Sequence, residues 1–125
     1  MESPLRDPAD APKQGDEAAG EAWLVLDEAV HEGFRDVEAG SEIVVLTWLH
    51  LARRDTLVVH PRGDPEAAER GVFSTRSPAR PNPIGLHRVG VVAVEGTRIR
   101  VRNLEAVDGT PVLDIKPVAH GAADD

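Results

Sequence analysis

The run Arg98-Ile99-Arg100-Val101-Arg102 admits one local conformation. Successive side chains of an extended strand point to opposite faces, so Ile99 and Val101 share one side and the three arginines the other. Such a strand lies in a sheet with one face on a core and the other toward water. Glu95-Gly96-Thr97 before it is a turn, and Ile84 to Val94 reads as a partner strand, which makes a hairpin. In that partner Leu86, Val89, Val91 and Ala93 are the apolar positions, with a slip near His87-Arg88 that suits a bulge.

The rest of the chain is cut into pieces of similar size. Glu21 to Leu26 contains Trp-Leu-Val-Leu, and Glu42 to His50 is a nearly unbroken apolar run, the mark of a buried strand. Thr56 to His60 is a further short strand, ended by Pro61 and Gly63, and Val112 to Ile115 follows the turn Asp108-Gly109-Thr110-Pro111. Only Glu28 to Val37 predicts a helix, with Val30, Phe34 and Val37 at helical spacing and Ala39-Gly40-Ser41 as the stop. The sum is about seven short strands and one short helix. Strands do not alternate with helices, so the expected fold is all-β, a small antiparallel β-barrel.

Length and composition set the outer bounds. At 125 residues the chain has the size of one domain, residues 1–125, and the polar, aperiodic stretches 1–20 and 119–125 are expected to be mobile arms. Trp23, Trp48, Phe34 and Phe73 are the only aromatic residues, so the core must come from Val, Leu and Ile. Without cysteine there is neither a disulfide nor a thiolate metal site. His31, His50, His60, His87 and His120 lack paired short spacing, so no metal centre is expected. A serine nucleophile would need an elbow motif, and Gly-x-Ser-x-Gly does not occur. No apolar run approaches the roughly 20 residues that cross a membrane, and Met1-Glu2-Ser3-Pro4 does not resemble a signal peptide, which predicts a cytoplasmic protein without a membrane partner.

Net charge is −8 but unevenly spread: residues 50–102 hold ten Arg against five acids. A local basic surface attracts phosphates within a Debye length of about 8–10 Å, so nucleic acid is neither indicated nor excluded by charge. The stripe Arg98/Arg100/Arg102 reads as a solvated hairpin face or as an RNA-facing strand.

The most unusual segment is Gly71-Val-Phe-Ser-Thr-Arg-Ser-Pro-Ala-Arg-Pro-Asn-Pro-Ile-Gly-Leu86. Pro78, Pro81 and Pro83 fix their own φ and push Ser77, Arg80 and Asn82 out of the helical region, which makes a stiff, extended strap. Ser74, Thr75, Arg76, Ser77, Arg80 and Asn82 set polar heads on that frame, as a preorganised small-molecule site requires. The same features also suit a surface loop joining two strands. In Asp108-Gly-Thr-Pro-Val-Leu-Asp-Ile-Lys-Pro117, Asp114 interrupts an apolar strand and Lys116 shares its face, so the two either pair or both face a pocket.

These two segments closely resemble, in order, the two signatures of the TrmO (TsaA-like) family. Trp48-Leu49-His50 and Pro12-Lys13-Gln14 are similar to its aromatic-x-His strand end and its Pro-basic-Gln loop. The resemblance covers residues 3–118. It implies a small β-barrel, usually dimeric, that binds S-adenosyl-L-methionine outside the Rossmann framework and methylates N6 of threonylcarbamoyladenosine in tRNA. It also implies that Thr75, Arg76, Arg80, Asn82, Gly85, Leu86, Asp108, Thr110, Asp114 and Lys116 line the cofactor site, with Gln14 and His50 as further members. The opening strand that usually precedes Ser-Pro-Leu is short or absent here, and Val118 replaces the Tyr that commonly follows Ile-Lys-Pro. Many tRNA-acting members carry a further C-terminal domain that is not in these 125 residues, so methylation of a small metabolite and non-catalytic cofactor binding stand as alternatives. His50 is the candidate general base for an acceptor nitrogen, and Arg76, Arg80 and Arg88 are candidate anchors for an anionic acceptor.

Overall fold

The structure is a computed structural model that describes residues 1–3, 20–60 and 64–118. Gln14, the Pro12-Lys13-Gln14 loop and most of the two arms lie outside the described residues. Among the described residues seven strands run in chain order: β1 (Glu21–Val25), β2 (Glu42–Trp48), β3 (Val58–Val59), β4 (Arg70–Gly71), β5 (Ile84–Glu95), β6 (Arg98–Arg102) and β7 (Val112–Pro117). Five form one sheet in the order β1-β6-β5-β2-β7 with every neighbouring pair antiparallel, while β3 and β4 pair as a separate two-stranded arm.

Alternation decides the inner face. Ala22 and Leu24, Ile99 and Val101, Val89 and Val91, and Ile43 and Val45 are all buried, and they form one core with Phe34, Leu104 and Ala106. The expected hairpin is β5–β6, with Gly96 at φ +64° in its turn and Ile99 and Val101 both fully buried. Two of the three arginines of its stripe are matched by acids. Arg98 binds Glu2 through two nitrogens, at 2.6 and 3.3 Å, and Arg100 Nε lies 3.5 Å from Glu21 Oε1. Both guanidiniums stack over Trp23. Pairing two of its three cations weakens the field the strip offers a polyanion.

Three expectations change. The helix is a seven-residue 3-10 helix, Glu28–Phe34, capped by Asp27, whose carboxylate accepts from Ala29 N at 2.9 Å. At about three residues per turn, positions 30 and 34 lie roughly 120° apart instead of roughly 40°. Phe34 is therefore buried while Val30 is exposed. The bulge expected near His87-Arg88 is absent. The β2–β5 register runs unbroken from Glu42↔Gly90 to Trp48↔Ile84, and the shifts fall at Val91/Ala93 and Leu46/Thr47. Gly85, His87, Val89 and Val91 consequently face inward, and Leu86 stands on the outer face beside Ile84.

The sheet also does not close into a barrel: among the described residues β1 and β7 are its edges. Closure needs a continuous ladder between those edges. Among the described residues Met1–Ser3 lies in that gap, with Glu2 in an isolated bridge to Trp23, Met1 O accepting from Gly109 N at 3.0 Å and Ser3 N donating to Asp108 Oδ1 at 3.0 Å. No helix among the described residues is long and apolar enough to cross a membrane.

Candidate functional site

A cavity of about 730 Å³ opens where the ends of β2 and β5 meet the proline strap and the loop before β7. Three prolines remove their own donors from the strap, so its carbonyls must accept from elsewhere. Leu49 N donates to Pro83 O at 2.8 Å, and Arg54 Nε donates to Pro81 O at 2.9 Å. Arg54 also reaches Asn82 Oδ1 at 3.3 Å and stacks 5.1 Å above Trp48, which ties the strap to the end of β2. Within the strap, Arg80 donates to the carbonyls of Thr75 and Ser77 at 2.9 and 3.2 Å. Thr75 Oγ1 donates to Val72 O and accepts from Ser77 N. The strap is thus folded by its own side chains and clamped by a residue outside it, which is the preorganisation a binding site needs.

The cavity brings together His50, Thr75, Arg76, Arg80, Asn82, Gly85, Leu86 and Thr110 from among the sequence-derived candidates. Thr110 is buried with its hydroxyl donated to Val107 O at 2.7 Å, so its role there is to hold the loop. Arg88, on the outer face, binds Glu42 at 2.7 Å and is not among the cavity's lining.

Asp108, Asp114 and Lys116 do not line this cavity. Asp108 holds Ser3 N in the loop before β7. Asp114 is exposed, opposite Leu46 in register, and its Oδ1 accepts from Ile115 N at 2.8 Å; Lys116 stands opposite Val44. Since Ile115 pairs with buried Val45 and turns inward, its neighbours turn outward. Leu86, Leu46 and Asp114 form one row across the sheet, so Asp114 is two strand spacings, roughly 10 Å, from Leu86.

Four contributors, Arg54, Glu105, Thr47 and His87, are not among the sequence-derived candidates. Arg54 clamps a strap 28 positions away in the chain, a contact that no local pattern encodes. Glu105 places a carboxylate-bearing residue in the lining. His87 sits on the inner face of β5, where Thr47 Oγ1 meets its Nε2 at 2.7 Å; burial pushes the imidazole down to about 4, so the ring is neutral at physiological pH. Strict alternation from buried Val89 back to His87 and Gly85 was the available signal for His87.

The lining is chemically mixed: leucines, Ile84 and Pro78 for a flat apolar ring, the Asn82 amide, hydroxyls and guanidiniums for polar substituents, and one carboxylate. No group of three or more metal-ligating side chains gathers among the described residues.

The tRNA-methyltransferase O N-terminal domain matches residues 1–124 of this chain. A protein of Archaeoglobus fulgidus named S-adenosyl-L-methionine-binding protein is 45% identical over 116 residues, covering 93% of this chain and 82% of its own. One of Methanothermobacter thermautotrophicus, named a probable S-adenosyl-L-methionine-binding protein, is 46% identical over 117 residues, covering 94% and 83%. A crystal structure of TrmO superposes with a TM-score of 0.76 at 31% identity, and one of TrmO from Pseudomonas aeruginosa with 0.74 at 30%. Each covers 99% of this chain, which spans just over half of theirs, 57% and 55%.

Proposed function

Since this chain belongs to the tRNA-methyltransferase O N-terminal domain family, we propose that its cavity binds S-adenosyl-L-methionine and that the protein is a methyltransferase acting on threonylcarbamoyladenosine in tRNA. The observation that carries this reading is the clamped proline strap, which holds the first signature against a cavity of about 730 Å³, within the usual range for small-molecule sites. The lining suits the cofactor. Leu49, Ile84 and Leu86 offer apolar wall to an adenine, Arg76 matches a carboxylate, and Glu105 brings an acid toward a sulfonium.

Bound there, the cofactor supplies an electrophilic methyl group. The chain's own residues bind and orient: Thr75, Arg80 and Gly85 shape the strap side, Asn82 presents its amide, and Thr110 fixes the opposite loop. Positioning of this kind can lower a barrier by several kcal/mol, so few catalytic groups are needed. His50, exposed in the lining, is the residue we assign to take the proton an acceptor nitrogen loses. Asp114 and Lys116 enter as members of a second copy's contribution. They share the outer sheet face with exposed Ile84, Leu86 and Leu113, an apolar surface that suits a homodimer contact bordering the cavity.

Purified protein with methyl-labelled S-adenosylmethionine and bulk tRNA tests this. Label should enter tRNA and co-migrate with methylated threonylcarbamoyladenosine after digestion, and sedimentation should give twice the chain mass. The names of the two archaeal relatives favour one other reading, a module that binds the cofactor without turnover. Saturable binding with no transfer to tRNA or to a metabolite extract would select it; no binding at all would refute both.

A further inference from the structure

Thr47 and Gly85 stand opposite each other across β2 and β5, and His87 is the next inward residue on β5. With no side chain at position 85, the Thr47 hydroxyl passes over the glycine to the imidazole, Oγ1 to Nε2 at 2.7 Å. A Cβ at 85 would lie 2.6 Å from His87 Nε2 and closer still to Thr47 Oγ1, so the glycine and the polar pair are one arrangement. The neighbouring inward residues, Ile43, Val45, Val89 and Val91, are all apolar. The polar pair sits at the cavity end of this surface, and His87 is part of the lining.

The hydrogen bond also fixes the ring's tautomer. Thr47 is fully buried, and its hydroxyl has no other partner among the described residues. Were Nε2–H the donor, the hydroxyl proton would be left without an acceptor in a dry site, which is costly. The hydroxyl therefore donates, Nε2 accepts, and Nδ1 carries the ring proton. That N–H has no acceptor among the described residues. A neutral ring also adds no second positive charge to a cavity read as receiving a sulfonium, where the charged and titratable neighbours are His50, Arg76, Arg80 and Glu105.

We propose that His87 contacts the ligand in this cavity, donating through Nδ1–H to an acceptor atom of the bound nucleoside, and that Thr47 is its positioning residue, selecting the tautomer. This rests on the reading that the cavity takes S-adenosylmethionine, which is the probe of the test. In the full chain, the imidazole 15N spectrum should show Nδ1 protonated and Nε2 bare, and saturation with the cofactor should move the His87 Nδ1–H resonance. Calorimetry should give about a tenfold weaker affinity for His87→Phe and near wild-type affinity for His87→Asn, whose amide restores a donor close to Nδ1. Thr47→Val should show a mixed tautomer and an intermediate loss, and Thr47→Val with His87→Phe should be no weaker than His87→Phe alone. A wild type that binds while His87→Phe stays within about twofold and the resonance does not move overturns the assignment and leaves the functional reading standing. A wild type that does not bind the cofactor overturns that reading, and this one with it. Should His87→Phe fail to fold, the resonance and the Asn and Val variants still decide.

Discussion

The inner face of β5 is two surfaces in one strand. From Val89 onward it is apolar and packs against Ile99, Val101 and Leu24; before Arg88 it offers Gly85 and His87 to a cavity. Where the two surfaces meet, from Gly85 to Val89, the two-residue alternation is unbroken and pairs to β2 in one register. What differs is the opposing layer. The first surface meets closely packed side chains, where each methylene matters; the second meets a strap stiffened by its prolines and clamped by Arg54. A fold of this size can thus separate stability from binding along one strand.

The separation can be broken most forcefully at Ile99, fully buried under the packed half. Ile99→Ala should lower stability by about 3–4 kcal/mol and the melting temperature by roughly 12–15 °C, with cofactor affinity of the folded protein unchanged at low temperature. Thermal unfolding and calorimetry read the two quantities, and a parallel fall in affinity would show that the halves are coupled.

A smaller effect should come from the cavity half through pH. His87 is pushed from its ordinary 6.5 to about 4 by burial, so the unfolded chain binds more protons between these values. Stability is then complete above pH 6.5 and falls as pH drops toward 4, by about 2–3 kcal/mol from this residue. Denaturant titrations from pH 7 to 4.5 should show a steeper loss in wild type than in His87→Gln; equal slopes would mean that the ring is not buried neutral.

The smallest change in stability is expected at Arg54. Its contacts are exposed, so Arg54→Ala should cost under about 1 kcal/mol. Releasing Pro81 and Asn82 should nevertheless weaken cofactor affinity about three- to tenfold, because the strap loses its outside clamp. Unchanged affinity would place the rigidity in the prolines alone.

Much of the scaffold was legible in advance for a local reason. Two-residue alternation is written into each strand, so the Ile99/Val101 face, the hairpin at Gly96 and the apolar run of β2 could be read directly. The same rule misled where a residue type did not match its face. Leu86 looked like core and stands outside, because Gly85 and His87 hold the inward positions. Phe34 and Val30 parted because the helix wound as 3-10.

The sequence alone determined the all-β class, the strand positions, the stiffness of the strap and the family resemblance, since these follow from dihedral limits and spacing within a few residues. Tertiary structure decided that β1 and β7 are the sheet's edges among the described residues, that Asp114 and Lys116 turn outward, that Arg54 clamps a segment 28 residues away and that Thr47 meets His87 over Gly85. Each of those depends on which strands pair and in which register. That choice minimises the free energy of the whole packed sheet and is recorded in no single stretch of chain.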